Sequence, residues 1–485
     1  MGTIEIIVNN IKAHWFSFFG VVISMIIISA GTILIGIPFG LAITLAPLVV
    51  IFFIYLIKDP YWGIIALFFI NYFVTVLIRY LAVEGLSVIF DIMVVLTFLS
   101  IIINNLVNPE KLGHRLKNGL FIVSLMWFIY CCFEIINPRA MLSAWFLSRS
   151  LIYYMLVTVM LTFLVFNKYK DLKTMLYIMS IFTLFGVAKG VMQQFWGFDV
   201  AETAFLNDGG AGTHLLNTGT RYFSFYVSAG VFGAVMGYAV VIYGISAIYI
   251  KGIMSKIYFT VVALASLYGL LISGTRGAIA IPLAGFVLFI ILSKKTTIII
   301  TSTVVLVATY VFLAHTMIGQ GNQFIRRTRT IFDPDEPSLV VRKTNQAILK
   351  EYLKDKPMGE GLGLSGVDAQ NVSMRFTTTI PTDSWYVKLW VETGVIGLIL
   401  YMLIYLYAMI YGCYLIFFKV KDRILKGLLT ALMCGFFGIV VASYGNQVLG
   451  QFPVAFMMYT SISFIFMAKT LDKEIADKKA LLKIE

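Results

Sequence analysis

The sequence predicts an all-α polytopic membrane protein with about 12–14 transmembrane helices and one large extracytoplasmic loop that contains an amphipathic helix. The chain has 485 residues, of which 60% are hydrophobic and 13% are charged, and its mean hydropathy is +0.91. A soluble domain has about 25% charged residues, so no water-soluble fold could bury this much apolar surface. The apolar runs continue over roughly 20 residues without alternation, which indicates helices and not a β-barrel. Polar sequence concentrates in one long loop, residues 317–382.

The apolar runs divide the chain into spans separated by short polar connectors. Two spans are expected between residues 15 and 57, with a break near Gly36. The remaining spans are expected at about residues 62–82, 86–107, 119–135, 145–166, 174–194, 221–250, 257–273, 277–293, 298–315, 384–417, 427–444 and 453–468.

The net charge of +13 has the distribution expected of membrane topology, not of nucleic-acid binding. When Lys12 is placed inside the cell, alternate counting puts every lysine-rich connector on that side. These connectors contain Lys58, residues 111–117, 168–173, 251–256, 294–295 and 419–426, and the C-terminal tail. The same count places residues 197–220, the turn at 274–277 and the long loop outside.

The chain therefore divides into four segments. Residues 1–196 form an N-terminal transmembrane bundle, and residues 197–315 form a transmembrane core with two arginine motifs. Residues 316–382 form the extracytoplasmic loop, and residues 383–485 form the C-terminal helices and a cytoplasmic tail.

Arg221 and Arg276 begin two predicted spans on the outer face. A single arginine at a helix end often extends towards the lipid headgroups. The positive-inside bias nevertheless disfavours outer arginines, and small residues beside Arg276 leave room for a ligand. Guanidinium groups bind phosphate oxygens bidentately, so a lipid-linked diphosphate would be a natural partner. Both arginines are candidate catalytic residues.

The long loop contains an amphipathic segment at residues 337–354, which would lie on the membrane or cap a cavity. Its apolar face is expected to contain Val341, Ile348, Leu349 and Tyr352. Arg342 and Lys343 lie largely off this face and are candidate substrate-binding residues. The glycine-rich residues 359–366 follow no predicted strand, so a flexible turn is expected there instead of a phosphate-binding loop.

Asp383 precedes the next span at its outer end. One interpretation is a helix N-cap, which suits both Asp383 and Ser384, and the functional alternative is a general base at the mouth of a cavity. Glu392 lies about two and a half turns further into the membrane, where a carboxylate suggests function. An ion pair with Lys388 is a sufficient structural reason for it. Lys388 and Glu392 are therefore candidate substrate-binding residues with a structural alternative.

His214, in the outer glycine-rich loop, is the one histidine selected as a candidate substrate-binding residue. The four histidines are scattered, and the four cysteines lack metal-ligand spacing. No metal site and no cofactor are expected.

Three segments and one arginine resemble a known family. Residues 273–278 read Ser-Gly-Thr-Arg-Gly-Ala, and residues 357–363 read Pro-Met-Gly-Glu-Gly-Leu-Gly. Residues 383–397 read Asp-Ser-Trp-Tyr-Val-Lys-Leu-Trp-Val-Glu-Thr-Gly-Val-Ile-Gly. Together with Arg221, these segments resemble, in order and spacing, the motifs of the O-antigen ligase/polymerase superfamily, membrane glycosyltransferases of the GT-C type. The resemblance covers about residues 220–400.

The resemblance implies inverting, metal-independent glycosyl transfer on the outer face of the cytoplasmic membrane, from a glycan on undecaprenyl diphosphate. Arg276 and Arg221 would stabilise the diphosphate leaving group. The ligases of the family carry histidine where this chain has Asp383, so Asp383 would act as the base. This departure favours a polysaccharide polymerase that extends a lipid-linked acceptor glycan.

Two alternatives stay open. One is a ligase that moves the glycan onto a lipid core or a protein. The other is a lipid-linked oligosaccharide flippase or transporter, although the two halves of the chain show no internal repeat. The partners expected for the enzyme are the lipid-linked donor, the acceptor glycan and membrane lipids, with no nucleic acid.

Overall fold

The computed structural model describes residues 19–20, 22–33, 37–81, 85–109, 112–216, 219–293, 296–330 and 337–481. Predictions on Lys12, the break at Gly36, Lys111 and the pair Lys294 and Lys295 lie outside these residues. The described part of the chain is almost entirely helical, which confirms the predicted all-α class.

The helices run in chain order over Val22–Ile33, Ile37–Lys58, Tyr61–Leu81, Val88–Val107, Leu112–Arg115, Gly119–Phe133, Glu134–Ile136, Leu142–Leu147, Arg149–Ile152, Tyr154–Val165, Tyr169–Trp196, Val200–Phe205, Leu206–Gly210, Ala211–His214, Ala229–Tyr249, Ile253–Ile272, Arg276–Leu292, Thr296–His315, Gln323–Arg329, Pro337–Tyr352, Val367–Asn371, Phe376–Thr379, Trp385–Tyr414, Leu415–Lys419, Arg423–Ala442, Val454–Phe466 and Ala468–Leu481. Two short strands, Leu215–Leu216 and Gly219–Thr220, pair antiparallel with Leu215 opposite Thr220.

Among the described residues, 8 helices are long and apolar enough to cross a membrane. A ninth span is counted if the bent pair Val454–Phe466 and Ala468–Leu481 forms one. These helices confirm a polytopic membrane protein. Several shorter apolar helices, such as Tyr154–Val165 and Arg276–Leu292, fall inside other predicted spans. The total of about 12–14 spans therefore stays a prediction.

The chain forms two compact units. One contains the described residues up to Gly63 together with Thr97–Pro109, and the other contains Ile64–Leu96 together with the described residues after 110. All candidate residues belong to the second unit. Its most enclosed span is Ala229–Tyr249, here called the central helix, in which 83% of an 18-residue stretch is buried. Helices Ile253–Ile272, Arg276–Leu292 and Arg423–Ala442 pack around it.

The span predicted to begin at Arg221 begins instead at Ala229, where the Ser228 hydroxyl caps the central helix. The prediction is wrong because residues 222–227 are apolar and aromatic, and their composition resembles that of a membrane helix. Arg79 holds this segment in a non-helical path by donating to the carbonyl oxygens of Ser224 and Tyr226, at 3.1 and 2.7 Å. Arg221 therefore lies in a braced extended segment.

The span predicted at residues 145–166 is divided into three short helices, the second of which begins at Arg149. Arg149 Nε lies 2.9 Å from Asp91 Oδ2. A charged side chain inside an apolar run needs a partner of opposite charge. The Arg149–Asp91 ion pair lies at the point where the predicted span is interrupted.

The helix Trp385–Tyr414, here called the broken helix, is interrupted at Gly394, which has φ +64° and ψ −169°. The break accommodates residues 357–366, here called the glycine segment. The backbone amides of Glu360 and Gly361 donate to the carbonyl oxygens of Val391 and Glu392, at 2.8 and 3.0 Å. The segment forms turns, as expected, and these turns are packed backbone to backbone against the broken helix.

We expect Gly394→Ala to destabilise the fold strongly. A Cβ at this position would lie 1.9 Å from the Pro357 carbonyl oxygen, and the positive φ disfavours any side chain. Backbone strain and overpacking together cost on the order of 3 kcal/mol or more. Thermal unfolding of the detergent-purified chain would measure the loss. Gly244→Ala is the matched control, because its Cβ would meet Phe286 at an ordinary 3.7 Å. Equal melting temperatures for the two variants would contradict the assigned packing.

Candidate active site

A cavity of about 870 Å³, here called the main cavity, lies where several helix ends of the second unit meet. Ala229, Arg276 and Asp383, at or just before the starts of three helices, line it, as does Asn446 after the end of Arg423–Ala442. Its charged lining residues are Arg221, Arg276, Arg327, Arg342, Lys388 and Asp383. Five cations thus face a single carboxylate.

Residues 273–277, here called the arginine turn, hold one wall of the main cavity. Gly274 has φ +56°, and a Cβ there would lie 3.2 Å from the Arg221 side chain and 3.3 Å from that of Arg327. Thr275 donates its hydroxyl to the Ala229 carbonyl oxygen at 2.8 Å and accepts from Arg221 Nη2 at 3.0 Å. The turn therefore brings two arginines from other segments together beside Arg276.

Gly277 completes the turn by a close approach to Asn446. A Cβ on Gly277 would lie 2.4 Å from Asn446 Nδ2. This buried amide nitrogen has no hydrogen-bond acceptor among the described residues, and Asn446 lines the main cavity. Since an unmade buried hydrogen bond is costly, this nitrogen is suited to donate to a bound ligand.

Arg221 is fixed by both backbone and side-chain contacts. Its amide donates to the His214 carbonyl oxygen at 2.8 Å, and its Nη1 donates to the Thr213 carbonyl oxygen at 3.0 Å. Its Nε is buried without an acceptor among the described residues. Burial, followed by repulsion from Arg327 and Arg276, lowers the pKa of Arg221 to about 10. The group remains charged at neutral pH, and a bound anion would relieve the repulsion.

Arg327 is a cavity residue that the sequence reasoning did not select. Its Nε donates to the Gly274 carbonyl oxygen at 2.7 Å, which ties helix Gln323–Arg329 to the arginine turn. One residue beyond this helix, the Thr330 hydroxyl oxygen accepts from Arg276 Nη1 at 3.0 Å. The available signal was the run Arg-Arg-Thr-Arg at residues 326–329, because outer arginines are disfavoured there by the positive-inside bias.

The predicted amphipathic segment forms the helix Pro337–Tyr352, here called the loop helix. Its buried contacts involve Leu349 and Tyr352, which pack against Val391 of the broken helix. Val341 and Ile348, predicted on the same apolar face, are exposed, so only part of that face packs on the protein. The loop helix packs on the protein through a stripe of side chains that faces the broken helix.

The two basic residues predicted on the loop helix have different environments. Arg342 lines the main cavity, with its Nε 3.5 Å from Asp383 Oδ2. Lys343 is exposed and is not among the lining residues. Arg342 and Asp383 therefore form an ion pair between the loop helix and the start of the broken helix.

Asp383 lies one residue before the N-cap of the broken helix. The N-cap is Ser384, and its side chain makes no capping hydrogen bond. The predicted N-cap role of Asp383 is therefore wrong. The backbone is fixed by the Trp385 amide, which donates to the Ser443 carbonyl oxygen at 3.0 Å. Asp383 is consequently held at the cavity mouth with its carboxylate half-exposed.

Glu392 is fully buried and lies behind the wall of the main cavity. Its Oε1 accepts from the Ser365 hydroxyl at 2.6 Å and lies 3.8 Å from Lys388 Nζ. The predicted ion pair is present, and it connects the buried carboxylate to a lysine that lines the cavity. Its Oε2 has no donor among the described residues. Glu392 thus positions Lys388 and Ser365, both of which reach the cavity.

His214 is buried beside the main cavity, and both ring nitrogens contact the backbone. Its Nδ1 lies 2.8 Å from the Gly210 carbonyl oxygen, and its Nε2 lies 3.2 Å from the Ala229 amide nitrogen. These partners select the neutral tautomer with hydrogen on Nδ1, because Nε2 must accept. Burial lowers the pKa of His214, and the charges of Arg221 and Arg79 lower it further. The ring therefore braces the outer loop on the central helix.

The arrangement of charges and helix ends fits a multiply charged anion. The central helix, helix Arg276–Leu292 and the broken helix all begin at the main cavity. Helix N-termini carry partial positive charge and unpaired amide donors, which favour phosphate groups. Together with the five cations, they make the main cavity a strongly positive region.

We expect folding stability to fall on acidification in part through His214. Its pKa in the folded protein is below the ordinary value of 6.5, so the unfolded chain takes up more protons as the pH falls through that value. The stability is therefore present above about pH 6.5 and is lost below it. Melting temperatures at pH 7.5, 6.5 and 5.5 should fall less steeply for His214→Asn than for the wild type. The exposed His114→Asn is the control, and identical slopes for all three chains would contradict this assignment.

A known protein family matches part of the chain. No curated protein matches the chain. Residues 261–402 match the family model described as O-Antigen ligase. This range includes Arg276, Arg342, Asp383 and Glu392, whereas Arg221 precedes it. Over these residues of the multi-pass membrane protein, the match supports the predicted resemblance to the O-antigen ligase/polymerase superfamily.

Proposed function

We propose that the protein is a glycosyltransferase that takes its donor glycan from a polyprenyl diphosphate and extends a lipid-linked acceptor glycan. The observation that carries the proposal is the convergence of Arg221, Arg276 and Arg327 on one cavity where several helix ends meet. A diphosphate is the chemical group that best matches three guanidinium groups, because each can bind two oxygens.

The same arginines act on the leaving group. When the bond from the anomeric carbon to the diphosphate oxygen breaks, that oxygen gains negative charge. Fixed cations in a cavity with little water stabilise the developing charge without reorganising. Arg221 and Arg327 are held by backbone carbonyl oxygens, and Arg276 is held by the Thr330 hydroxyl, so their positions are set before the substrate binds.

Asp383 is the proposed general base. An acceptor hydroxyl attacks the anomeric carbon from the face opposite the diphosphate, which inverts the configuration, and its proton passes to the Asp383 carboxylate. Asp383 lies at the cavity mouth, and Arg342 accompanies it at 3.5 Å. Lys388, positioned by Glu392, lies one turn further along the same helix and offers a further cation to the donor.

The lengths and ends of the helices support a site on the extracytoplasmic face of the cytoplasmic membrane. The central helix begins at the main cavity and ends beside Lys251. Helix Arg423–Ala442 runs the other way, from the lysine-containing connector at residues 419–422 to the main cavity. Lysines therefore gather at the ends opposite the main cavity, as the positive-inside rule requires of the cytoplasmic side.

A ligase is the second candidate, favoured by the description of the matching family model. It would use the same diphosphate site and the same base, and it would differ in the acceptor. A transporter is less favoured, because the polar residues of the main cavity lie at helix ends, whereas transporters bind their substrates near the middle of the membrane.

The function is tested with purified protein in detergent and one lipid-diphosphate oligosaccharide as the sole substrate. A polymerase would yield a ladder of products spaced by one repeat unit on a gel. One new product that requires an added lipid or protein acceptor would identify a ligase. Absence of product with every acceptor would overturn the glycosyltransferase proposal.

We expect Arg276→Ala and Arg327→Ala each to lower kcat/KM by about 100-fold or more, because each removes a cation that faces the leaving group. The matched control is Arg326→Ala, which removes an exposed neighbouring arginine that does not line the main cavity. Initial rates of product formation check this expectation, with melting temperatures as the measure of folding. Full activity in Arg276→Ala would refute the diphosphate role.

We expect Asp383→Asn to reduce kcat by about 10²–10⁴-fold while donor affinity is retained, because the amide keeps the shape but cannot accept the proton. Single-turnover rates and binding of the lipid-linked donor separate the two effects. Asp355→Asn, on an exposed part of the long loop, is the control for removal of one carboxylate. Turnover near the wild-type rate in Asp383→Asn would exclude this residue as the base.

A further inference from the structure

A second cavity, of about 210 Å³, lies at the other end of the central helix. It is lined by Ile250, which directly follows that helix, and by Tyr169, which begins helix Tyr169–Trp196. The central helix has 21 residues, so its two ends are about 32 Å apart. The second cavity and the main cavity are therefore separated by roughly the hydrocarbon thickness of a bilayer.

The second cavity carries an excess of positive charge. Its charged lining residues are Lys173, Lys251, Lys479 and Asp422. The Asp422 carboxylate is already used, because Oδ2 lies 2.6 Å from Lys479 Nζ and Oδ1 accepts from the amides that begin helix Arg423–Ala442. Lys173 and Lys251 form no ion pair within the described part of the chain. Two ammonium groups there therefore have no ion-pair partner among the described residues, and the next carboxylate, Glu474, accepts from the Tyr169 amide at 2.6 Å.

A buried hydroxyl adds a second, independent feature. The Tyr169 hydroxyl is buried and has no hydrogen-bond partner among the described residues. Lys173 Nζ lies 4.6 Å from the centre of the Tyr169 ring, which keeps the ammonium group beside the hydroxyl-bearing side chain. About two turns further along the same helix, Tyr177 donates to the Ser255 hydroxyl of helix Ile253–Ile272 at 3.1 Å, so this donor is already engaged. The unsatisfied donor and the two lysines without an ion-pair partner thus line one small cavity.

We propose that the second cavity binds the phosphate of an anionic phospholipid headgroup, with Lys173 and Lys251 as the counter-ions and the Tyr169 hydroxyl as a hydrogen-bond donor. Basic pockets between helices at the cytoplasmic surface are suited to lipid headgroups, since the acyl chains can remain in the bilayer. A free phosphate ion has the same recognition chemistry and is distinguished below. Ile475 and Lys479 come from Ala468–Leu481, here called the tail helix, so the bound headgroup would join this helix to the helix starts around it.

The test uses the full-length chain, purified in a neutral detergent and stripped of lipid. Melting temperatures are measured against increasing phosphatidylglycerol, phosphatidylcholine or inorganic phosphate. We expect phosphatidylglycerol to stabilise the protein and phosphatidylcholine to have no comparable effect. The double variant Lys173→Gln/Lys251→Gln should need about tenfold or more phosphatidylglycerol for the same shift, since each lysine near an anionic headgroup contributes about fivefold. Tyr169→Phe, which removes one hydroxyl alone, should weaken binding by about fivefold or more.

The matched control is Lys170→Gln/Lys256→Gln, which removes the same charge from exposed lysines that do not line the second cavity. Its response to phosphatidylglycerol should equal that of the wild type. A rise in the melting temperature of the wild type with inorganic phosphate as well, by an amount that the double variant reduces, is a further outcome. That result would still support the phosphate site and would identify a free ion as a second occupant. Equal phosphatidylglycerol responses in both double variants, or equal stabilisation by the two lipids, would overturn the proposal.

Discussion

The main cavity depends on holding several like charges close together without a ligand. Arg221, Arg276 and Arg327 come from three different segments, and their repulsion opposes folding. The arginine turn offsets it through fixed geometry: Gly274 lacks the Cβ that would separate two of the side chains, and Thr275 and backbone carbonyl oxygens accept from the guanidinium groups. The protein stores an unfavourable charge arrangement that an anion would relieve, which is the physical basis of the proposed specificity for a diphosphate.

The opposite wall of the main cavity depends on a helix that is interrupted. The break at Gly394 lets the glycine segment pack against the first turns of the broken helix through backbone hydrogen bonds. Those turns carry Asp383 at their start and Lys388 within them, and the buried Glu392 orients Lys388 from behind. The glycine segment is therefore connected to the site through packing, and its Ser365 and Gly366 line the main cavity.

Sequence reasoning identified the class of protein because twenty-residue apolar runs have few other folds available. It also selected Arg221, Arg276 and Asp383, since charges at predicted helix ends stand out against an apolar background, and it selected Arg342 on the amphipathic segment and Lys388 as the partner of Glu392. It did not find Arg327, whose importance depends on a contact with a turn some 50 residues earlier in the chain. It also misplaced the start of the central helix, because Arg79, distant in sequence, holds an apolar aromatic segment out of helical geometry. Local sequence patterns contain no information about contacts between segments that are distant in the chain.

The most direct test of the proposed donor site is a structure of the chain in a lipid bilayer with a non-hydrolysable lipid-diphosphate glycan bound. We expect both phosphate groups to lie among Arg221, Arg276 and Arg327, with the anomeric carbon facing the Asp383 carboxylate. A diphosphate bound elsewhere, with the main cavity empty of it, would contradict the central claim that this group of arginines is the donor site.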